Sequence, residues 1–332
     1  MTETPALNTP EELAALRSPR QKPQTAARAG FENRVMKTVA GRFEKASWDQ
    51  CRRFGSRLGL AFYAGGPRRR ELAIGNIQMA LGVSGEEANR IARRSCQNWG
   101  MTTCEFLHLP NASREEICDY TTVSGGEHLR AAHAQGRGVV LLMAHIGNWE
   151  MISARLQFEY SIGAIVRPLS NAAAQDHMAN IRRSINLNLF SKFGAARPAA
   201  KWLRAGNLLC ILPDRHAGAD GVLLPLFGRE TLFEVSPTRL AMMNNSPIVP
   251  ILAARRDPWL QDGRIDIQIS PAFEIAPGAR DSRDEAVLDG TRQVISALET
   301  MVRTSPDQWS WMLRRWRDSD AKVAARVEQM KK

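Results

Sequence analysis

The chain has 332 residues, of which 44% are hydrophobic and 24% are charged, a composition typical of a globular protein with a real core. Lysine and arginine total 45 against 34 acidic residues, and the net charge of +11 indicates an anionic partner: nucleic acid, an anionic membrane surface or an acidic carrier protein. The five cysteines are irregularly spaced and form no C-x-x-C pair, which favours free thiols in a reducing compartment and argues against a zinc site.

The two ends of the chain look unlike the middle. Residues 1–29 are polar and proline-rich, with no apolar segment of the kind found in signal peptides, and we expect them to be a disordered tail. Residues 321–332 are expected to be a charged C-terminal tail. No window approaches 18 uncharged apolar residues, so we expect no transmembrane helix.

Residues 30–110 carry a helical pattern. Hydrophobic side chains recur at three-to-four-residue intervals, at Val35, Val39, Phe43, Phe54, Leu58 and Phe62. The opposite face is rich in arginine and lysine. Ser84, with Glu87 three residues later, predicts the start of a further helix with a capping box. Two interpretations stay open for the amphipathic helices. Their apolar faces pack on the body of the protein, or they lie on an anionic membrane.

Residues 111–320 show a different rhythm. The short apolar, β-branched segments are "GVVLLMA", "SIGAIVRP", "NLLCILPD", "SPIVPILAAR" and "GRIDIQISPAF". Helical stretches lie between the earlier of them, at 148–159, 171–190 and 234–244. This alternation predicts an α/β domain whose mostly parallel central sheet is flanked by helices on both faces. A last helix is expected from about 283 to 303.

The stretch "VVLLMAHIGNWE" carries the strongest chemical signal. His145 lies just past the end of a predicted strand, where reactive groups gather in open α/β sheets. Gly147 suits a tight turn, and Asn148 suits the N-cap of a helix whose first turn contains Glu150. We therefore expect Glu150 to orient the His145 ring as a general base, with the backbone amides of the turn facing a developing oxyanion.

Several segments resemble, in order, the bacterial lipid A biosynthesis acyltransferases, which belong to the lysophospholipid and glycerolipid acyltransferase superfamily. "AHIGNWE" resembles the H-x4-D/E motif of that superfamily. Further similar segments cover about residues 40–318: "RRRELAIGNIQMAL", "AIVRPLSN", "LLCILPDRHAG", "GVLLPLFGRETLFEVSPTRLAMMNNSPIVPILAAR" and "SPDQWSWMLRRWR".

The resemblance implies a glycerolipid acyltransferase-like fold and transfer of a fatty acyl group from a thioester to a hydroxyl. By motif position it implies that His145 is the base and Glu150 its partner, and that Arg167 binds a substrate phosphate. Asp214 and Arg239 match recurrent polar positions of the family and are taken as substrate-binding candidates, with Gly147 and Asn148. The donor is acyl carrier protein or acyl-CoA, and the acceptor is a phosphorylated lipid, with a lipid A precursor preferred. No cofactor or metal is expected.

The chain also departs from the family pattern. Many members begin with a hydrophobic membrane anchor, whereas here we expect only an amphipathic basic region, and Arg215 stands where many relatives have glutamine. We expect a peripheral enzyme on the cytoplasmic face of the bacterial inner membrane, with the anionic membrane surface as a partner. The alternatives are an acyl-CoA-dependent lysophospholipid, glycolipid or aminolipid acyltransferase and a non-catalytic membrane or nucleic-acid binding protein. No nucleic-acid-binding motif is present, so nucleic acid is not an expected partner.

A cluster of aromatic and basic residues closes the pattern: Trp309, Trp311, Arg314, Arg315, Trp316 and Arg317. Such a cluster is typical of an ordinary packed segment, of contact with membrane headgroups, where tryptophan is enriched, or of a nucleic-acid binder. The sequence favours packing, then headgroup contact, and leaves these interpretations open.

Overall fold

The computed structural model describes residues 8, 41–43, 45–169, 171–257, 259, 261–276 and 283–317. The predicted C-terminal tail therefore lies outside the described residues, as does the predicted N-terminal tail except for Asn8. The side chain of Asn8 accepts a hydrogen bond from the amide of Leu189, and its own amide donates to the side chain of Asn188.

Helices and strands alternate along the chain after an all-helical beginning. In chain order the elements are α1 (Trp48–Gly65), α2 (Pro67–Leu81), α3 (Gly85–His108), α4 (Arg114–Tyr120), β1 (Thr121–Ser124), α5 (Gly126–His133), β2 (Val139–Leu142), α6 (Trp149–Leu156), β3 (Ile162–Val166), α7 (Ala172–Ser184), β4 (Leu187–Ser191), α8 (Ala196–Arg204), β5 (Leu208–Ile211), β6 (Val222–Leu226), β7 (Arg229–Phe233), α9 (Ser236–Asn244), β8 (Ile248–Arg255), β9 (Ile265–Ile269) and α10 (Arg283–Thr304). Among the described residues, no helix is both long enough and apolar enough to cross a membrane.

The central sheet has seven strands in the order β1-β9-β8-β2-β5-β3-β4. The strands from β8 to β4 are parallel neighbours, whereas β9 runs antiparallel to β8 and pairs in parallel with β1 at the edge. Strands β6 and β7 form a separate antiparallel hairpin. The predicted α/β fold with a mostly parallel central sheet flanked by helices, preceded by a helical region, is therefore confirmed.

Strand β2 shows why its sequence is apolar throughout. Its four residues are completely buried, and successive side chains enter different cores: Val140 and Leu142 pack on one face of the sheet, Val139 and Leu141 on the other. A strand buried on both faces needs a continuous apolar run rather than alternation. The first core also contains Ile77 of α2 and Ile91 of α3, so the N-terminal helices contribute to the same core as the sheet.

Helix α1 packs on the rest of the protein through small residues rather than through its large hydrophobic residues. Phe54 and Leu58 are 47% and 39% exposed, while Gly55 and Gly59 are buried against α3. A Cβ atom on Gly59 would lie 2.1 Å from the carbonyl oxygen of Cys96, so only glycine permits this approach of the two helix backbones. Close backbone contact replaces side-chain interdigitation here and turns the larger residues outward.

Helix α3 begins where predicted, but only one of the two hydrogen bonds of the predicted capping box is formed. The Ser84 hydroxyl accepts a hydrogen bond from the amide of Glu87. The reciprocal contact is not formed, because the Glu87 carboxylate binds Arg90 instead.

Candidate active site

The strand register brings His145 and Asp214 together. Leu142, the last residue of β2, lies opposite Ile211, the last residue of β5. His145 comes three positions after Leu142, and Asp214 comes three positions after Ile211. Strand β3 pairs with the other side of β5, so Arg167, just past β3, reaches the same edge of the sheet. Three chain segments that are distant in sequence thus converge at the carboxyl ends of neighbouring parallel strands, where ligand sites of open α/β sheets form.

The His145 side chain is oriented by Asp214. Its Nδ1 atom lies 2.6 Å from Oδ1 of Asp214, and its backbone amide donates to Oδ2 at 3.0 Å. Burial by itself would raise the pKa of Asp214. The charge of His145, the hydrogen bonds from it and the Arg315 guanidinium outweigh that effect and hold the pKa well below its usual range. An ionised Asp214 fixes the proton on Nδ1 and leaves Nε2 free to accept one.

The C-terminal aromatic and basic segment holds Asp214 from behind. Trp309 donates its indole N–H to Oδ2 at 2.9 Å, and Arg315 reaches the same oxygen at 3.1 Å. The Arg315 guanidinium also lies 3.7 Å from the centroid of the Trp309 ring. Burial lowers the pKa of Arg315 to about 10, against the opposing effect of Asp214.

The burial of the tryptophans distinguishes between packing and headgroup contact for that segment. Trp309 and Trp311 are completely buried, and Trp316 is 7% exposed. The packed interpretation is confirmed, and the headgroup interpretation is wrong for these three side chains.

Glu150 does not take the position expected for it, beside the His145 ring. Its carboxylate instead receives two hydrogen bonds from Arg182 of α7, one of them with Nη2 at 2.5 Å, and one from the indole of Trp149 at 3.2 Å. Burial would lower the pKa of Arg182, but the Glu150 charge outweighs it and raises that pKa. The expected contact between Glu150 and His145 is therefore wrong: the Arg182 guanidinium holds the Glu150 carboxylate with charge-assisted hydrogen bonds.

The turn after His145 requires glycine at position 147, and the backbone amides of Gly147 and Asn148 are not available to a ligand. Gly147 has φ +59°, and a Cβ atom there would lie 1.8 Å from the carbonyl oxygen of Ala253. The Gly147 amide donates to the Gln308 carbonyl and the Asn148 amide to the Ala253 carbonyl. The expectation that these amides face an oxyanion is therefore wrong: both are consumed inside the fold, and neither Gly147 nor Asn148 is exposed to a ligand.

Asn148 does cap helix α6, as predicted. Its side-chain oxygen accepts a hydrogen bond from the amide of Met151, and its side-chain nitrogen donates to Oε2 of Glu105 at 2.7 Å. Glu105 in turn forms a bidentate ion pair with Arg255, at 2.7 and 2.8 Å, and both side chains are completely buried. Burial lowers the pKa of Arg255, but Glu105 and Tyr120 outweigh it and raise that pKa.

A second set of contacts fixes the carbonyl of Gly147. It accepts hydrogen bonds from Asn98 at 2.9 Å and from Thr102 at 3.0 Å, both on α3. Helix α3 therefore clamps the turn that carries His145. None of these partners was identified from the sequence, since nothing in a helical pattern indicates which buried polar residue contacts a distant turn.

A cavity of about 530 Å³ opens beside His145. Much of its wall is apolar, with contributions from the ends of β3 and β5 and from helices α7, α8 and α9: Met143, Ala164, Ile165, Val166, Leu169, Met178, Leu187, Ala195, Ala196, Leu212, Val235, Leu240 and Met243. Cys210 also lines it, and burial raises the pKa of this thiol to about 12, which keeps it neutral rather than nucleophilic. Such a wall suits a hydrocarbon chain.

Cationic side chains line the same cavity. Arg167, Arg215 and Arg239 form no ion pair or hydrogen bond with the other described residues, whereas Lys192 pairs with Glu234. Partial burial and the nearby charges of Arg167 and Arg317 lower the pKa of Arg215, although Asp214 opposes them. The substrate-binding candidates Arg167 and Arg239 are therefore placed at the cavity, while Asp214 contacts His145 instead.

The arrangement can remove a proton from a group bound in the cavity and can hold an anion near its cationic wall. Within the described ranges, no group of three or more His, Cys, Asp or Glu side chains could hold a metal ion. The partner of His145 was missed from the sequence because the contact depends on the β2–β5 register. A signal existed in the form of "LLCILPD", a strand that delivers an acid at its carboxyl end as "VVLLMAH" delivers a histidine.

Comparisons with known proteins identify similar sequences. A sequence model described as bacterial lipid A biosynthesis acyltransferase matches residues 46–318. Over 268 residues the chain is 24% identical to phosphatidylinositol mannoside acyltransferase of Mycobacterium tuberculosis, covering 78% of this chain and 80% of the relative. It is also 24% identical over 262 residues to lipid A biosynthesis lauroyltransferase of Escherichia coli, covering 78% and 82% of the two chains.

A more distant relative has a similar name. The chain is 19% identical over 205 residues to lipid A biosynthesis acyltransferase of Haemophilus influenzae, which covers 60% of each chain.

Proposed function

This chain belongs to the bacterial lipid A biosynthesis acyltransferase family and is an O-acyltransferase, and we propose that His145 and Asp214 form its catalytic pair. The observation that carries the proposal is the 2.6 Å contact between Nδ1 of His145 and Oδ1 of Asp214 beside a largely apolar cavity. In this proposal Asp214 replaces Glu150 as the residue that orients the base.

The reaction proceeds by direct transfer. Nε2 of His145 takes the proton from an acceptor hydroxyl, and the hydroxyl oxygen attacks the carbonyl carbon of the acyl thioester. The tetrahedral intermediate collapses, the carbon–sulfur bond breaks, and the departing thiolate takes the proton back from His145. Asp214 stabilises the imidazolium that forms between these two proton transfers. A general base of this kind accounts for a rate factor of about 10²–10⁴.

The cationic wall of the cavity stabilises negative charge on the substrates. Arg167 binds a phosphate of the acceptor, and Arg239 provides a second contact from α9. Arg215 lies close to Arg167 and next to Asp214, and an anion bound between the two arginines relieves their mutual repulsion. Because the Gly147 and Asn148 amides are already bonded, the positive charge of Arg215, which lines the cavity, is the candidate for stabilising the oxyanion.

The acceptor is a phosphorylated lipid, and a lipid A precursor is the first candidate. One relative is named for lipid A and another for a phosphatidylinositol mannoside, both of them phosphorylated sugar lipids. A phosphorylated glycolipid of another kind is therefore the second candidate. The donor is an acyl carrier protein or acyl-CoA, and the net charge of +11 favours the acidic carrier.

The site of action is the cytoplasmic face of the inner membrane, with the enzyme bound peripherally. The lipid nature of the acceptor and the positive net charge support this placement.

Product analysis tests the proposal. The purified protein is incubated with acyl carrier protein or CoA carrying one acyl chain, and with a lipid A precursor or a phosphorylated glycolipid. Mass spectrometry is expected to show a mass increase of one acyl group on an acceptor, and none with His145→Ala. Equal product with the wild type and the variant would overturn the assignment of His145.

A further inference from the structure

Exposed hydrophobic side chains gather around the mouth of the cavity. Six large hydrophobic residues are exposed among those the structure describes, and three of them lie here: Leu169 at 38%, Phe193 at 50% and Met243 at 47%. Leu169 and Met243 also line the cavity, and Phe193 directly follows Lys192, which lines it too. We call these three residues the apolar rim.

The apolar rim comes from three separate parts of the fold. Leu169 follows β3, Phe193 follows β4, and Met243 lies near the end of α9. Exposing a side chain of this size is ordinary when it occurs singly, but three that converge on one opening indicate an interaction surface.

Positive charge is interleaved with the apolar rim. Two cations of the cavity wall are paired, Lys192 with Glu234 and Arg182 with Glu150. The remaining cations of the wall are Arg167, Arg215 and Arg239, which face one remaining carboxylate, Asp220. Hydrophobic side chains flanked by excess arginine are the pattern by which proteins bind the interface of an anionic membrane.

We propose that the apolar rim docks on an anionic bilayer, with Phe193 and its neighbours inserted between headgroups and the three arginines in contact with lipid phosphates. The inference rests on the proposed function, because docking at this place delivers a membrane lipid to His145 without passage through water. It assigns the membrane contact to the cavity mouth rather than to the N-terminal helices.

A rival apolar face lies on α1, where Phe54 and Leu58 are exposed. Phe54 is already partly covered from within the chain, since its ring packs against that of Phe43 with centroids 5.2 Å apart. No residue of α1 lines the cavity, whereas Leu169 and Met243 of the apolar rim line it and Phe193 directly follows Lys192, which also does. For these reasons the apolar rim is the stronger membrane contact.

Phe193 and Phe54 form a matched pair for the test, as they are the same residue type with 50% and 47% exposure. Full-length Phe193→Ser and Phe54→Ser are sedimented with vesicles of phosphatidylglycerol and with vesicles of phosphatidylcholine. Phe193→Ser is expected to weaken partition onto the anionic vesicles by about tenfold. Phe54→Ser is expected to bind as the wild type does, and neutral vesicles should bind all three proteins more weakly.

A second measurement reports insertion directly. An environment-sensitive fluorophore on Phe193→Cys is expected to shift to the blue when anionic vesicles are added, and the same label on Phe54→Cys is expected not to shift. Phe193 does not line the cavity, so Phe193→Ser should keep its turnover on acceptor dispersed in detergent.

Three results would overturn the proposal. The first is loss of vesicle binding by Phe54→Ser but not by Phe193→Ser. The second is unchanged vesicle binding by Phe193→Ser with a raised KM for the carrier-bound donor, which would make the apolar rim a carrier dock. The third is a label at position 193 that stays in water. Vesicle binding is measured without turnover, so a failure of the proposed acyl transfer would appear separately, as absence of product.

Discussion

Glu105 and Arg255 form a completely buried, bidentate ion pair behind the turn that carries His145. The pair does not touch the cavity. It reaches the catalytic turn through Asn148, whose side-chain nitrogen donates to Glu105. A charged pair at this depth is costly to desolvate, and removing one partner is strongly destabilising. Loss of either charge should therefore also disturb the hydrogen bond from Asn148 that holds the turn.

Removing one charge of this pair should destabilise the protein strongly. In Glu105→Gln the Arg255 guanidinium stays buried without a counter-charge, and we expect a loss of about 3–5 kcal/mol in the free energy of unfolding. Denaturant unfolding measures the loss. Glu87→Gln is the control, because Glu87 forms an exposed pair with Arg90 and should change stability little. Similar stabilities for the two variants would contradict the buried role of Glu105.

Gly147→Ala should disrupt the catalytic turn. The added Cβ atom would meet the Ala253 carbonyl oxygen at 1.8 Å, on a backbone that already has φ +59°. Gly136→Ala is the matched control: its φ is +70°, but nothing lies within 4 Å of the added atom. Only backbone strain of about 1–2 kcal/mol is expected at Gly136, whereas Gly147→Ala should lose more stability and nearly all turnover. The thermal midpoint and kcat are measured for both variants. Equal losses for Gly147→Ala and Gly136→Ala would show that the positive φ, and not the contact with Ala253, determines the effect.

Glu150 and Arg182 should behave as a coupled pair. Each side chain is largely buried, so Glu150→Gln or Arg182→Gln alone leaves a partner without its counter-charge. The double variant should lose less stability than the sum of the single variants, with a coupling of about 0.5–3 kcal/mol. A double-mutant cycle of unfolding free energies checks this. Additive losses would show that the two side chains are independent.

Asp214 should make stability depend on acid pH. Its pKa in the folded protein is held below the ordinary value of 3.8, so its ionised form stabilises the fold above that value. This stabilisation is lost as pH falls through the folded pKa. The difference in unfolding free energy between the wild type and Asp214→Asn should therefore be large at neutral pH and shrink below pH 3.8. A constant difference across that range would contradict the assignment.

Salt should separate the two candidate donors. The chain carries a net charge of +11, and attraction to an acidic carrier protein is screened by ions. KM for the carrier-bound acyl donor is expected to rise when NaCl is raised from about 0.1 to 0.5 M, where the screening length falls to about 4 Å. KM for acyl-CoA, a small donor, should rise less. Salt-independent KM with the carrier-bound donor would exclude electrostatic docking.

The sheet was predictable because apolar strand segments and helical stretches alternate clearly in the sequence. Strand β2 is the best example: its four consecutive apolar residues suit a strand that is buried on both faces, as the structure shows. The position of His145 beyond that strand and the N-cap role of Asn148 follow from local sequence, and the structure confirms both.

The contacts of the site were less predictable because they are long-range. The partner of His145 is 69 residues away, and only the pairing of β2 with β5 brings it close. Glu150 was the wrong choice of partner because sequence proximity does not reveal Arg182, which competes for the same carboxylate. On α1 the hydrophobic pattern left packing and membrane contact open, and it could not reveal that the helix packs through Gly55 and Gly59, a contact that needs no large side chains.

The most direct test compares kcat for Asp214→Asn and Glu150→Gln under saturating donor and acceptor. Asp214→Asn should lower kcat by about 10²–10⁴, because the imidazolium loses its counter-charge and Nδ1 loses its acceptor. Glu150→Gln should retain most of its kcat at a temperature where it is folded. A kcat near the wild-type value for Asp214→Asn, with Glu150→Gln as inactive as His145→Ala, would contradict the account.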